Sequence, residues 1–231
     1  MASNRQQRPP RGRPGGFLLE TVAGGALLAA MAIVGVFFVH RPAENRLDAF
    51  GFSVLPDEPN NRIWHLLADV GTVRVVLATV IVAVALTLWR DWRRSLACVI
   101  GPLAALGLTE EIAKPLASRN VYPFGAHSFP SGTVTAAAAV ATVGVLALPR
   151  ALRALGALAA GALIVCVSAA VIALRWHFAT DTLGGACVGT GAVLVLDGAL
   201  HLVRRRRRGA HSAVGSSSSS TASREPYSAS Y

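Results

Sequence analysis

The chain has 231 residues, 53% of them hydrophobic and 15% charged, with a net charge of +10. Apolar residues gathered into blocks of about twenty, rather than alternating with polar ones, exclude a soluble globular domain and point to a membrane protein. The positive charge falls in the gaps between blocks and at the termini, where arginine sets membrane topology, so no nucleic-acid partner is expected.

Residues 1–16 form a basic tail with Arg5, Arg8, Arg11 and Arg13 among Pro and Gly, and are expected to be disordered. The first apolar block, about 17–39, is too long for the apolar region of a signal peptide and lacks a clear small-residue cleavage site, so it reads as a retained span. In the following loop, NNRIWHLLADVG (60–71) reads as a short interfacial helix anchored by Trp64. Further spans are predicted at about 72–89, 95–113, 131–149, 154–175 and 180–203. Arg204 to Arg208 then stop transfer, and the Ser-rich remainder of 204–231 reads as a second disordered tail. The expected fold is therefore all-α: one polytopic domain of six transmembrane helices over 17–203. Its setting is a plasma membrane, in a chain whose heavy Ala, Val, Gly and Arg use suggests a bacterium.

Orientation follows from the bases. The N-terminal tail, the 90–94 turn, the 150–153 turn and the C-terminal tail hold fifteen of the 22 bases, and six spans put all four on one side. The positive-inside rule then places both termini in the cytoplasm. Cys98, Cys166 and Cys187 lie in apolar blocks with no ligand spacing and read as small core residues, with neither a metal nor a disulfide expected. Gly184, Gly185, Gly189 and Gly191 suggest close helix packing. Asp197 and His201 read as a local pair at the inner end of the last span.

Three clusters interrupt the apolar pattern: EEIAKPLASR (110–119), AHSFPSGT (126–133) and RWHFATD (175–181). Six spans bring all three to the outer side, and ionisable groups at membrane depth usually mark function. His177 and Asp181 are four residues apart, which on a helix puts them on one face. The carboxylate can then hold one imidazole nitrogen and leave the other free as a nucleophile. An ordinary structural pair is the alternative. Pro130-Ser131-Gly132 opens a span, so its backbone N–H groups suit an anion; simple capping by Ser131 is the plainer reading. Lys114, Arg119 and Arg175 are outer-side bases suited to neutralising a phosphate. Glu110 and Lys114, at i and i+4, also suit a plain salt bridge.

Together these clusters resemble the type 2 phosphatidic acid phosphatase family, the membrane branch of a superfamily that includes the vanadium haloperoxidases. The family pattern is K-x6-R-P, then P-S-G-H, then S-R-x5-H-x3-D. The matching pieces here are Lys114, Pro130-Ser131-Gly132 and His177-x3-Asp181. The resemblance implies hydrolysis of a membrane-lipid phosphate at the outer face, without metal or other cofactor. His177 would be the nucleophile that forms a phosphohistidine, with Asp181 as its partner. Lys114, Arg119, Ser131, Gly132, Thr133 and Arg175 would surround the phosphate.

The chain departs from the pattern in three places. Arg119 follows Lys114 by five residues, with no Pro after it. Ala170-Val171 occupies the S-R position, and Arg175 would have to reach the phosphate from the next helical turn, on the face of Val171. Thr133 stands where the family has the histidine that protonates the leaving group, and a hydroxyl is a poor acid near neutral pH. His127, six residues earlier, is the candidate substitute; a surface-loop histidine is the alternative. A good leaving group, such as that of a polyprenyl diphosphate, would suffer least from the change. The competing functions are a catalytically impaired relative that binds phospholipid headgroups, and a transporter, which normally carries midplane charges and internal repeats.

Overall fold

A computed structural model describes residues 15–39, 45–117 and 128–219, with side chains described as far as Val203. Every regular element among them is helical. In an apolar solvent a backbone must satisfy its own hydrogen bonds, which the apolar blocks do as helices. Helix α1 (Gly15–Val34) runs into a π-helical turn, Gly35–Val39. Two short helices follow, α2 (Arg46–Val54) and α3 (Arg62–Ala68), with Asn45 and Asn61 as side-chain N-caps. Then come α4 (Val73–Thr87) and α5 (Trp92–Gly107). A second π-helical turn, Leu108–Ala113, joins α5 to α6 (Lys114–Leu116). The last three helices are α7 (Gly132–Ala147), α8 (Arg153–Ala173) and α9 (Ala179–Ser219).

Four of the described helices are long and apolar enough to cross a membrane: Gly16–Phe37, Trp92–Leu116, Arg150–Ala173 and Ala179–Val203. A fifth candidate is the pair Arg62–Gly71 and Val73–Thr87, bent by 51°. The predicted fourth span is shorter than expected. Helix α7 has 16 residues, about 24 Å of rise against a hydrocarbon core of about 30 Å. Pro149 ends it, because proline disfavours the helical conformation in the residue before it, here the C-cap Leu148, and Pro130 lies just ahead of the N-cap Ser131. In the other direction, α9 continues as helix to Ser219, past the boundary expected at residue 203. The segment expected to lie as a helix at the interface is helical as α3, whereas α2 has no counterpart among the predicted elements.

Helix α9 is the hub, packed against α1, α5 and α7. One buried cluster joins Cys98 and Ala105 of α5 to Ala139 and Val143 of α7 and to Val188 and Val193 of α9. A second joins Val134 and Ala137 of α7 to Val167 and Val171 of α8, covered by Trp64. The α7–α9 crossing is close enough to require glycine. A Cβ on Gly185 would lie 2.6 Å from the Ser131 carbonyl oxygen, and one on Gly189 would meet the Thr135 carbonyl. Of the three cysteines, Cys98 is buried in the core and Cys187 half-buried, but Cys166 lies exposed on the outside of α8, contrary to the expected core position.

At the end remote from His177 the helices are tied by charge. Arg94 reaches Asp197 with two nitrogens, at 3.3 and 3.0 Å. His201 sits between Asp91 Oδ2 at 2.7 Å and the Asp197 carbonyl at 2.8 Å, with Phe17 of α1 stacked on its ring. The hydrogen bond from His201 holds the Asp91 carboxyl below the usual carboxylate range. The predicted Asp197–His201 pair is thus one edge of a network that clamps α1, α5 and α9 together. Removing one partner of such a buried pair is strongly destabilising, because it leaves the other charge uncompensated.

The crossing gives a direct test. Gly189→Ala is expected to lower stability by about 1–3 kcal/mol through overpacking. Gly25, which has open space around its Cβ direction, should accept alanine without loss. Thermal unfolding in detergent checks this, and equal effects of the two changes would contradict the packing account.

Candidate active site

The site is built where α7 begins, where α9 begins and where α5 ends. Ser131 is the N-cap of α7: its Oγ accepts from the Val134 N–H at 3.4 Å. Its own N–H donates to the Asp181 carbonyl at 3.0 Å, which fixes the Pro130-Ser131-Gly132 turn against the start of α9. The Thr135 hydroxyl donates to the Ser131 carbonyl at 2.8 Å and receives a hydrogen bond from Thr109 at 3.2 Å, which brings in the end of α5. The preceding Phe129–Pro130 peptide is cis, and the Phe129 ring is fully buried.

His177 does not lie on a helix with Asp181, as their spacing suggested. Helix α8 ends at Ala173, and Arg175 takes a left-handed conformation with φ 58°. The Trp176 and His177 N–H groups both turn back to the Val171 carbonyl, at 2.9 and 3.3 Å. This is a helix C-terminal cap made without the usual glycine. Helix α9 starts only at Ala179, so His177 precedes it. The two side chains still meet, with His177 Nδ1 3.6 Å from Asp181 Oδ2. Asp181 is fully buried, and its Oδ2 also accepts the Phe178 N–H at 3.1 Å. The carboxylate therefore faces Nδ1. In enzymes without ligand such contacts are commonly long and tighten when substrate binds.

The end of α5 supplies the cation. In the π-helical turn the Lys114 N–H reaches back five residues to the Thr109 carbonyl, and the extra residue re-aims the side chains beyond it. Lys114 Nζ then lies 2.7 and 2.8 Å from the two carboxylate oxygens of Glu110. The pairing anticipated from their spacing is formed, and it lies over the N-terminus of α7. A Cβ on Gly132 would come within 2.8 Å of Glu110 Oε1 and 3.7 Å of Lys114 Nζ.

One cavity of about 500 Å³ gathers these groups. Glu110, Lys114, Gly132, Thr133 and His177 line its polar end, while Val76 and Leu77 of α4 and Leu103 and Leu106 of α5 line the apolar walls. Of the site residues expected from the sequence, Lys114, Gly132, Thr133 and His177 share this cavity. Ser131 and Asp181 are buried behind it. Arg175 is directed elsewhere: its Nε is 3.3 Å from Asp57 Oδ1, and its guanidinium lies 4.3 Å over the Phe52 ring. The expectation that Arg175 shares a face with Val171 fails because the helix has already ended. Arg119 and His127 lie outside the described residues. No group of three or more His, Cys, Asp or Glu side chains suited to a metal ion occurs among the described residues.

Asp48 is a contributor that the sequence did not single out. This fully buried carboxylate of α2 accepts both the N–H and the hydroxyl of Thr180, each at 2.9 Å. It thus caps the N-terminus of α9, where the helix dipole favours an anion. The Asn45 side chain donates to its other oxygen at 2.9 Å. A separation of 132 residues hid the partnership.

Residues 102–206 match the family model described as the PAP2 superfamily. Among solved structures, the chain is similar to the transmembrane PAP2-type phosphatidylglycerolphosphate phosphatase from Bacillus subtilis. The TM-score is 0.55 and the identity 19%, covering 80% of this chain and 96% of that one; at that identity the likeness is one of fold. No curated protein matches the chain.

The cap by Asp48 yields a stability test. Asp48→Ala leaves the Thr180 N–H and hydroxyl without their acceptor and should lower stability by about 1–3 kcal/mol. It should also speed amide exchange selectively over 178–182. Unchanged exchange there would show that Asp48 does not hold the His177–Asp181 segment.

Proposed function

We propose, on the premise that this chain is a PAP2-superfamily membrane protein, that it is a phosphatase acting on the terminal phosphate of a membrane lipid. The observation that carries the reading is the single cavity in which His177, Lys114, Gly132 and Thr133 meet walls of Val76, Leu77, Leu103 and Leu106. A phosphate at the polar end and an acyl or prenyl chain along the walls fit that division of chemistry.

In this mechanism Asp181 holds Nδ1 of His177, and the other ring nitrogen attacks phosphorus. The phosphorus–oxygen bond to the lipid breaks, leaving a phosphohistidine. Lys114 and the N-terminal N–H groups of α7 stabilise charge on the phosphoryl oxygens. Water then cleaves the phosphorus–nitrogen bond and restores the imidazole. His127 is proposed to protonate the leaving oxygen in place of the histidine that the family has at position 133. The chemistry falls to these side chains, with no metal required.

The reading takes six spans, counting the bent pair of α3 and α4 as one crossing and α7 as another. It also takes both termini as cytoplasmic, which the fifteen bases of the tails and inner turns support. The cavity then faces outward in a plasma membrane, at headgroup depth. Phosphatidate, phosphatidylglycerol phosphate and polyprenyl diphosphates are the candidate substrates. The second of these is what the similar Bacillus subtilis protein is named for. Thr133 favours a leaving group that departs without strong acid help. The same Thr133 favours a second reading, a non-catalytic relative that binds phospholipid headgroups.

Phosphate release by the purified protein from those three lipids separates the two readings. The phosphatase reading predicts release that persists in EDTA and falls by roughly a thousandfold or more in His177→Ala. His127→Ala should slow an alkyl monophosphate by about a hundredfold and a diphosphate much less. No release from any of the three supports the binder.

A further inference from the structure

Helix α2 divides its circumference into three faces. At about 3.6 residues per turn, positions i, i+3, i+4 and i+7 fall on one side. Asp48, Gly51 and Phe52 face the protein. Asp48 caps α9 through Thr180, and a Cβ on Gly51 would stop 3.0 Å from the Ala179 Cβ. The Phe52 ring lies 5.5 Å from that of Phe178. Leu47, Phe50 and Val54 make a second face, apolar and exposed by 40, 63 and 61% respectively. Arg46, Ala49 and Ser53 make a third, also exposed and without a large apolar side chain. A helix with one face on the protein and two outer faces of opposite polarity suits a boundary between apolar and aqueous media. We infer that α2 is a docking surface for the lipid bilayer. Leu47, Phe50 and Val54 enter the boundary between headgroups and acyl chains, at the end of the molecule that carries His177.

The position of α2 names the partner. It is held to Ala179 and Thr180, the first residues of Ala179–Val203, a segment long and apolar enough to cross a membrane. It also follows shortly after Phe37, the last residue of another such segment, where Val36 and Phe37 are themselves exposed. Helix α2 thus stands at the level where these two segments leave the hydrocarbon. In water, a stripe of three large apolar side chains is unfavourable. Against the bilayer the stripe is buried, while Arg46 on the neighbouring face is placed to meet lipid phosphates. The protein-facing side of the same helix caps α9, so docking also fixes the height of the His177–Asp181 segment against the headgroups. Docking of this kind does not depend on the reaction that the cavity carries out.

The test attaches a polarity-sensitive fluorophore to the full-length chain through Phe50→Cys, Val54→Cys, Arg46→Cys or Ser53→Cys, one at a time. All four positions are exposed, so the label leaves the packing of α2 intact. The background is Cys166→Ser, which removes the exposed native cysteine, and the background without a new cysteine supplies the blank. The protein is measured in nanodiscs of phosphatidylcholine and phosphatidylglycerol. Lipids with a nitroxide near the top of the acyl chain should quench labels at 50 and 54 about threefold or more beyond labels at 46 and 53, as for a face buried about 5–10 Å into the boundary. Aqueous iodide should show the opposite order. Equal access of iodide to all four positions overturns the inference, since the apolar face is then in water. Labels at 50 and 54 shielded from both quenchers overturn it as well, because a second copy of the chain or another part of the same chain then covers the face.

Discussion

The hydrogen bond from the Ser131 N–H to the Asp181 carbonyl, 3.0 Å long, is the joint on which the site depends. It connects the first turn of α7 to the first turn of α9, two segments about fifty residues apart in the chain. The bond forms only because the helices cross so closely that Gly185 and Gly189 carry no side chain at the contact. Helix packing without a hydrophobic driving force relies on such small residues. Once α7 and α9 are fixed, His177 and Gly132 face the same cavity. Asp48 then secures the joint by capping α9 through Thr180.

A second constraint sets the cation. A regular α-helix would carry Lys114 around at 3.6 residues per turn. The π-helical turn Leu108–Ala113 inserts extra length just before it and aims Nζ at the N-terminus of α7. Glu110 lies within that same turn, so one local irregularity places both the cation and its resident anion in the cavity. Such turns inside helices are often found at functional sites. The opposite end of the molecule is built for rigidity. There Arg94, Asp197, Asp91 and His201 hold α1, α5 and α9 at fixed spacing.

How much the sequence disclosed depends on the range over which each signal acts. Apolar blocks and their caps are local, and the all-helical membrane fold was legible from them, as were the short helix at Trp64 and the glycine contacts of α9. Pro130 and Pro149 were also visible, yet the apolar run between them masks how far they shorten α7. The grouping of Lys114, Gly132, Thr133 and His177 was legible through an ordered pattern of motifs. Arg175 misled because its spacing from Val171 is helical only if the helix continues, and the chain turns left-handed there instead. The His177–Asp181 spacing reached a true contact by the wrong route, a capping turn in place of a helical face. Asp48 and the π-helical turn were illegible, since one depends on a partner 132 residues away and the other on a backbone shift without a residue signature.

The central claim is that His177 takes the phosphoryl group from a lipid. The most direct measurement is rapid alkaline quenching of the protein during turnover of phosphorus-labelled phosphatidate, with peptide mass spectrometry to locate the label. The account predicts an acid-labile phosphoryl group on the peptide carrying His177, accumulating within a turnover and absent from His177→Ala. Phosphate release with the label on no residue, or on a residue other than His177, would contradict it.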